Sequence, residues 1–128
     1  MDIYAQNILD HYKNPRNRGE LKKPDAVFKS LNSACGDQIQ ISIKVDNGVL
    51  KKINFEGHGC AVAIATSSIL SDFLIDKKVA DVLAMDLSDV KKILGINISS
   101  RRYKCALIGL QSLQGAINLL ADKNKDKK

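Results

Sequence analysis

Apolar residues recur along this chain with two different periods, and the changes of period divide it into a first helix, a sheet and a helical second half. Over residues 3–13, Tyr4, Ile8 and Tyr12 fall four apart on one helical face; Asp2 stands at a capping position and Asn14-Pro15 stops the turn. Residues 14–24, with Pro15, Gly19 and Pro24 among basic side chains, carry no period and read as an irregular connection. From Ala26 the period is two. A short strand over 26–33 precedes one over 38–45, in which Ile39, Ile41, Ile43 and Val45 alternate with Gln38, Gln40, Ser42 and Lys44, so that one face is buried. Asn47-Gly48 predicts a tight hairpin turn, because both central residues of that turn need positive φ. The strand that follows, 49–57, carries Leu50, Ile53 and Phe55.

Helical spacing then returns. Gly57-His58-Gly59-Cys60 breaks the strand, and the segment from Ala61 through Ile69-Leu70 to Phe73-Leu74 is apolar all round in its first half, which predicts a largely buried helix. Residues 79–85 give a helical turn or two. Ser88 is placed to cap a helix over 89–94, which Gly95 stops. After a polar link, Ala106, Leu110, Leu113, Ile117 and Leu120 predict a last helix over 103–120. The expected fold is α+β: a three-stranded antiparallel sheet covered by helices, with an N-terminal helix and a long C-terminal helix. Residues 1–121 read as one domain, and 122–128, four Lys and two Asp, as a charged disordered tail.

Composition narrows the function. The chain's 128 residues suffice for a real core, and no apolar run reaches the roughly 20 residues of a membrane span. The opening Met1-Asp2-Ile3-Tyr4-Ala5 lacks the basic-then-apolar pattern of a secretory signal, so a cytoplasmic protein with no membrane partner is expected. A net charge of +6 invites a nucleic-acid reading. The tail supplies two of those charges, the rest are spread thinly, and with no Trp there is no set of stacking platforms, so no nucleic-acid partner is expected.

Three cysteines are too few for a disulfide framework and are either buried small hydrophobes or ligands and nucleophiles. Their positions favour the second reading. Cys35 sits in a Gly-containing turn between strands, and Cys60 and Cys105 fall in first turns of helices, where unpaired N–H groups favour an anion. Asp37, two residues from Cys35, is either a turn residue capping nearby N–H groups or a fourth ligand. With 24 residues between Cys35 and Cys60 and 44 between Cys60 and Cys105, there is no zinc-knuckle spacing, and such a site forms only in the folded domain. Three thiolates and one carboxylate suit tetrahedral zinc or the two irons of a [2Fe–2S] cluster. Carboxylate is the poorer partner for a soft metal, so the site is expected to be labile, which suits delivery. Arg101, Arg102 and Lys104 stand beside Cys105 to offset the negative charge. His11, on a helix without a partner at ligand spacing, and His58, in a loop, read as solvated or hydrogen-bonded.

The segments His11-Tyr12-Lys13-Asn14-Pro15-Arg16-Asn17, Ala34-Cys35-Gly36-Asp37, Gly59-Cys60-Ala61 with Ala65-Thr66-Ser67-Ser68, and Lys104-Cys105-Ala106 resemble the NifU-like N-terminal family, the IscU-type and SufU-type scaffolds of iron–sulfur cluster assembly. The likeness covers roughly Tyr4 to Leu120. It implies a scaffold rather than an enzyme. Such a protein receives sulfur from a cysteine desulfurase, builds a labile [2Fe–2S] cluster and transfers it to acceptor proteins; the alternative it implies is a zinc-dependent sulfurtransferase accepting persulfide sulfur. Cys35, Asp37, Cys60 and Cys105 match the family's ligands for the transient cluster, or for zinc in the cluster-free form. Cys105 matches the sulfur acceptor of IscU-type members and Cys35 that of SufU-type members, and both stay candidates. Tyr4 lies near a tyrosine linked to persulfide handling in some members, and reads here as a core or surface aromatic. IscU-type members carry Leu-Pro-Pro-Val-Lys-Ile-His-Cys at the third cysteine, where this chain has Ile98-Ser99-Ser100-Arg101-Arg102-Tyr103-Lys104-Cys105. The histidine ligand and the docking stretch for a dedicated chaperone are therefore missing. Lys104, SufU-like in position, reads as an electrostatic neighbour, while the insertion that SufU-type members carry before this cysteine is absent, which leaves the subtype open.

Overall fold

Strict alternation in the middle of the chain produces a sheet with one oily face, and the helical segments on either side of it supply the cover. The computed structural model describes residues 3–32, 36–95 and 102–126. Its elements are α1 (Ile3–Lys13), β1 (Ala26–Asn32), β2 (Asp37–Asp46), β3 (Val49–His58), α2 (Ala61–Phe73), α3 (Val79–Leu83), α4 (Leu87–Leu94) and α5 (Tyr103–Asp126). The strands form one antiparallel sheet in the order β1-β2-β3. The expected α+β architecture is therefore the one observed. Asn47 and Gly48 both take positive φ, 52° and 76°, as the hairpin turn requires.

Register fixes which side chains face inward. Ile39, Ile41 and Ile43 of β2 stand opposite Ser30, Phe28 and Ala26 of β1, and opposite Gly57, Phe55 and Ile53 of β3. This column is covered by α2 and α5, which also pack on each other, and α1 lies against α2. On α5 the expected face holds, since Ala106, Leu110, Leu113 and Ile117 are buried. The helix runs on past the expected Leu120 to Asp126, through the start of the segment read as a disordered tail. The opposite face of the sheet is polar and crossed by the connection after α1. Asn17 and Gly19 bond to Phe55 along the edge of β3, Leu21 donates to the buried Ser42 hydroxyl, and Asp25 donates to Ile43. Residues 76–79 bond to the other half of the same edge through Gly48 and Leu50. The edge of β3 is thus occupied along much of its length, which guards it against pairing with another chain.

Two local expectations need correction. The helix at 87–94 is capped by Asp86 rather than Ser88. The Asp86 carboxylate accepts from the Asp89 N–H at 3.3 Å, and the Asp89 carboxylate accepts from the Asp86 N–H at 2.9 Å. A reciprocal box satisfies two otherwise orphaned donors, more than one serine hydroxyl could. On α1, Tyr12 is 45% exposed while His11 is buried. The face that docks is the Ile8–His11 side, because α2 offers it a hydroxyl: His11 Nδ1 shares a 2.7 Å hydrogen bond with Ser68 Oγ, which also accepts from the Arg16 N–H at 2.8 Å. His11 is therefore hydrogen-bonded, as expected, but it is also a packing residue.

Candidate metal centre

Three of the ligand candidates come from three different elements and meet at one end of the sheet. Asp37 opens β2, Cys60 is the N-cap residue of α2, and Cys105 lies in the first turn of α5. One carboxylate oxygen and the two Sγ atoms all lie within 4.8 Å of one another. Asp37 and Cys105 are buried and Cys60 is half-buried. The period of β2 explains Asp37: it continues the inward column of Ile39, Ile41 and Ile43, so a carboxylate sits where the pattern would place another isoleucine. Cys35 lies outside the described residues, as does Arg101.

The carboxylate is held by one oxygen and left open at the other. Asp37 Oδ1 accepts from the Cys60 N–H at 2.9 Å, an orphan donor at the start of α2. Asp37 Oδ2 is buried and has no hydrogen-bond partner among the described residues. A buried polar atom without a partner costs about 1–3 kcal/mol, and more when charged. A cation would remove that cost, and two sulfurs with one carboxylate oxygen form a donor set suited to zinc or iron. The residues present therefore fit a metal.

Glycines make the approach close enough. A Cβ on Gly59 would lie 2.6 Å from Asp37 Oδ1 and 3.1 Å from its Cγ, and one on Gly57, whose φ is +137°, would overlap the Gln38 carbonyl. A side chain at either position would push the end of β3 away from the start of β2, and Cys60 away from Asp37.

Other candidates go elsewhere. His58 pairs with Gln38 in the outward column and, with Arg18, Lys29, Gln40 and Glu56, lines a polar cleft of about 330 Å³ on the face away from the helices. Lys104 and Arg102 are exposed, so water screens whatever their charges do for the buried Cys105 thiol. Asn32 carries no signal in any of the motifs named above. Asn32 ends the inward column of β1 after Ala26, Phe28 and Ser30, directly opposite Asp37, and its Nδ2 is buried without a partner among the described residues. A polar residue at an inward position of a period-two strand was the available signal.

The chain is similar to known proteins in sequence and in fold. The chain is 30% identical to the zinc-dependent sulfurtransferase SufU of Bacillus subtilis, covering 90% of this chain and 89% of that one. It is 35% identical to the iron–sulfur cluster assembly scaffold protein IscU of Aquifex aeolicus, covering 89% and 73%. The crystal structure of the N-terminal part of a nitrogen-fixing NifU-like protein from Brucella abortus superposes with a TM-score of 0.78 at 22% identity, over 94% of this chain and 96% of that one, a likeness of fold. The NifU-like N terminal domain family matches residues 3–127, and the chain belongs to that family.

Proposed function

We propose that this protein is a scaffold for iron–sulfur cluster assembly, which takes sulfur from a cysteine desulfurase, holds iron and sulfide as a labile [2Fe–2S] cluster, and passes the cluster to acceptor proteins in the cytoplasm. The observation that carries the reading is the meeting of Asp37, Cys60 and Cys105, with one buried Asp37 oxygen unpartnered among the described residues, in a member of this family. Cys35, two residues before Asp37 in sequence, completes the ligand set. The cluster is cargo. The thiolates hold its irons firmly, and Asp37, the hardest donor of the four, is the ligand most easily exchanged when an acceptor arrives.

Sulfur receipt follows thiol–disulfide chemistry. An acceptor thiolate attacks the terminal sulfur of the desulfurase persulfide, a new S–S bond forms, and the donor cysteine leaves as a thiolate with no net redox change; release of that sulfur as cluster sulfide then takes two electrons from an external thiol or ferredoxin-type reductant, which regenerates the acceptor thiolate. Attack needs access, and Cys105 is fully buried, which favours Cys35 as first acceptor over Cys105. The zinc-dependent sulfurtransferase is the second reading. It is supported by the likeness to the Bacillus subtilis protein of that name and by Lys104 preceding Cys105.

Anaerobic reconstitution with iron and sulfide separates the two. The scaffold reading expects sulfide-to-iron charge-transfer absorption that is lost when the cluster passes to an apo acceptor. A protein that keeps one tight zinc and develops no such absorption would be a sulfurtransferase instead. Mass spectrometry of Cys35→Ser and Cys105→Ser after incubation with the desulfurase identifies the acceptor: loss of the added sulfur only in Cys35→Ser is the expected result.

A further inference from the structure

Two buried polar atoms of opposite character belong to directly opposed residues at the ends of β1 and β2. Asn32 and Asp37 are directly opposed partners of β1 and β2, so their side chains project from the same face, with Cβ atoms about 4.5–5.5 Å apart. That face is the inward one, because the pairs that precede them in the column, Ser30 with Ile39 and Phe28 with Ile41, carry the isoleucines of the core. Asn32 Nδ2 is a donor and Asp37 Oδ2 an acceptor; each is buried and each lacks a hydrogen-bond partner among the described residues. They do not satisfy each other, although a cross-strand amide and carboxylate are well placed to do so. A group that satisfies both must be positive toward Oδ2 and must accept a hydrogen bond from Nδ2.

A metal bound to sulfur meets both demands at once. We propose that Asn32 is a positioning residue of the metal site: its Nδ2–H donates to a metal-bound sulfur while the Asp37 oxygen opposite it takes the metal. This rests on the reading of Asp37, Cys60 and Cys105 as metal ligands. Hydrogen bonds to ligand sulfur orient the ligand, lower the energy of its lone pairs and tune the metal, and outer partners of this kind typically change metal affinity about 10- to 100-fold. They also explain why β1 ends on an asparagine at a position where an apolar residue would pack without cost. The amide, without a partner among the described residues, finds its acceptor when the site fills.

Anaerobic titration with cobalt(II) and zinc tests the assignment on wild type, Asn32→Leu, Asn32→Ala and Cys60→Ser. Asn32→Leu is expected to weaken zinc binding about 10-fold or more and to move the thiolate-to-cobalt charge-transfer band to lower energy. The thermal midpoint of its metal-free form should hold or rise, because an unsatisfied amide has been removed. A residue that only packs would lower that midpoint and leave the band in place. If Asn32→Leu does not fold, Asn32→Ala gives the same readouts. A wild-type band lost in Cys60→Ser but unmoved in both Asn32 variants overturns the proposal and leaves the metal site intact; the two orphaned atoms would then share a buried water. A wild type with no thiolate-to-cobalt band overturns the metal reading and this proposal together.

Discussion

The two ends of α2 treat buried polar groups in opposite ways. Toward its C-terminal end every hydroxyl on the α1 side is engaged: Ser68 Oγ with His11 Nδ1 and the Arg16 N–H, and Ser71 Oγ with the Ser68 carbonyl at 2.7 Å and Asn17 Nδ2 at 3.1 Å. At its N-terminal end the Asp37 carboxylate is tied by one oxygen only, and the Asn32 amide opposite is buried without a partner among the described residues. Between these ends, where α2 meets α5 at Gly109, Ser67 Oγ likewise has no partner among the described residues. The saturated end is structure, since it staples α1 and the following connection to the helix. The unsaturated end bears a stability cost that nothing among the described residues offsets, which is what a site prepared for a non-protein occupant should look like.

This contrast breaks most visibly at the thiols. Cys60→Ser is expected to lower zinc affinity by at least about 100-fold, because a hydroxyl is a far poorer ligand for zinc than a thiolate, with far-ultraviolet circular dichroism unchanged. Chelator competition measures the loss. Gly59→Ala comes next. Its Cβ would meet the Asp37 carboxylate at 2.6 Å, so either the carboxylate or the start of α2 must shift. Overpacking of this kind costs about 1–3 kcal/mol in urea unfolding, and it should weaken metal binding as well. Ser68→Ala belongs to the other end. It removes the acceptor of the Arg16 N–H and the partner of His11, and should cost about 1–3 kcal/mol while zinc affinity stays within experimental error of wild type.

The smallest effect is a pH dependence. Burial first, and then the nearby Arg16 charge, hold His11 below its ordinary 6.5, partly opposed by Asp10 and Asp72. The folded state therefore favours the neutral ring, and the unfolded chain takes up the proton first. Stability is fully present above pH 6.5, falls as the pH drops below it, and levels off beneath the depressed folded value. Urea midpoints of the metal-free protein between about pH 8 and pH 5 should show this slope, and His11→Asn should flatten it.

Much of this was readable in the sequence because sheet and helix advertise themselves through period. The alternation from Gln38 to Val45, the Asn47-Gly48 turn and the alternating four- and three-residue spacing along α5 each specify one structure and were observed as such. Asp37 was singled out beside Cys35, and the fold brings Asp37 to Cys60 and Cys105 from three separate elements. The remainder depends on partners distant in sequence. His11 is buried because Ser68 stands 57 residues away, and neither residue's local pattern contains the other. The Asp86–Asp89 box displaced Ser88 because a reciprocal pair outcompetes a single hydroxyl. The significance of Asn32 depends on register, which period alone does not fix at the end of a strand.

The central claim is that the open end of α2 is a sulfur-rich metal site with a carboxylate ligand, and X-ray absorption at the zinc edge of the zinc-loaded protein tests it most directly. The account predicts a shell of sulfur at about 2.3 Å with a minor oxygen contribution at about 2.0–2.2 Å, and the loss of that oxygen in Asp37→Ala. A first shell made only of oxygen and nitrogen, unchanged in Cys60→Ser and Asp37→Ala, would contradict it.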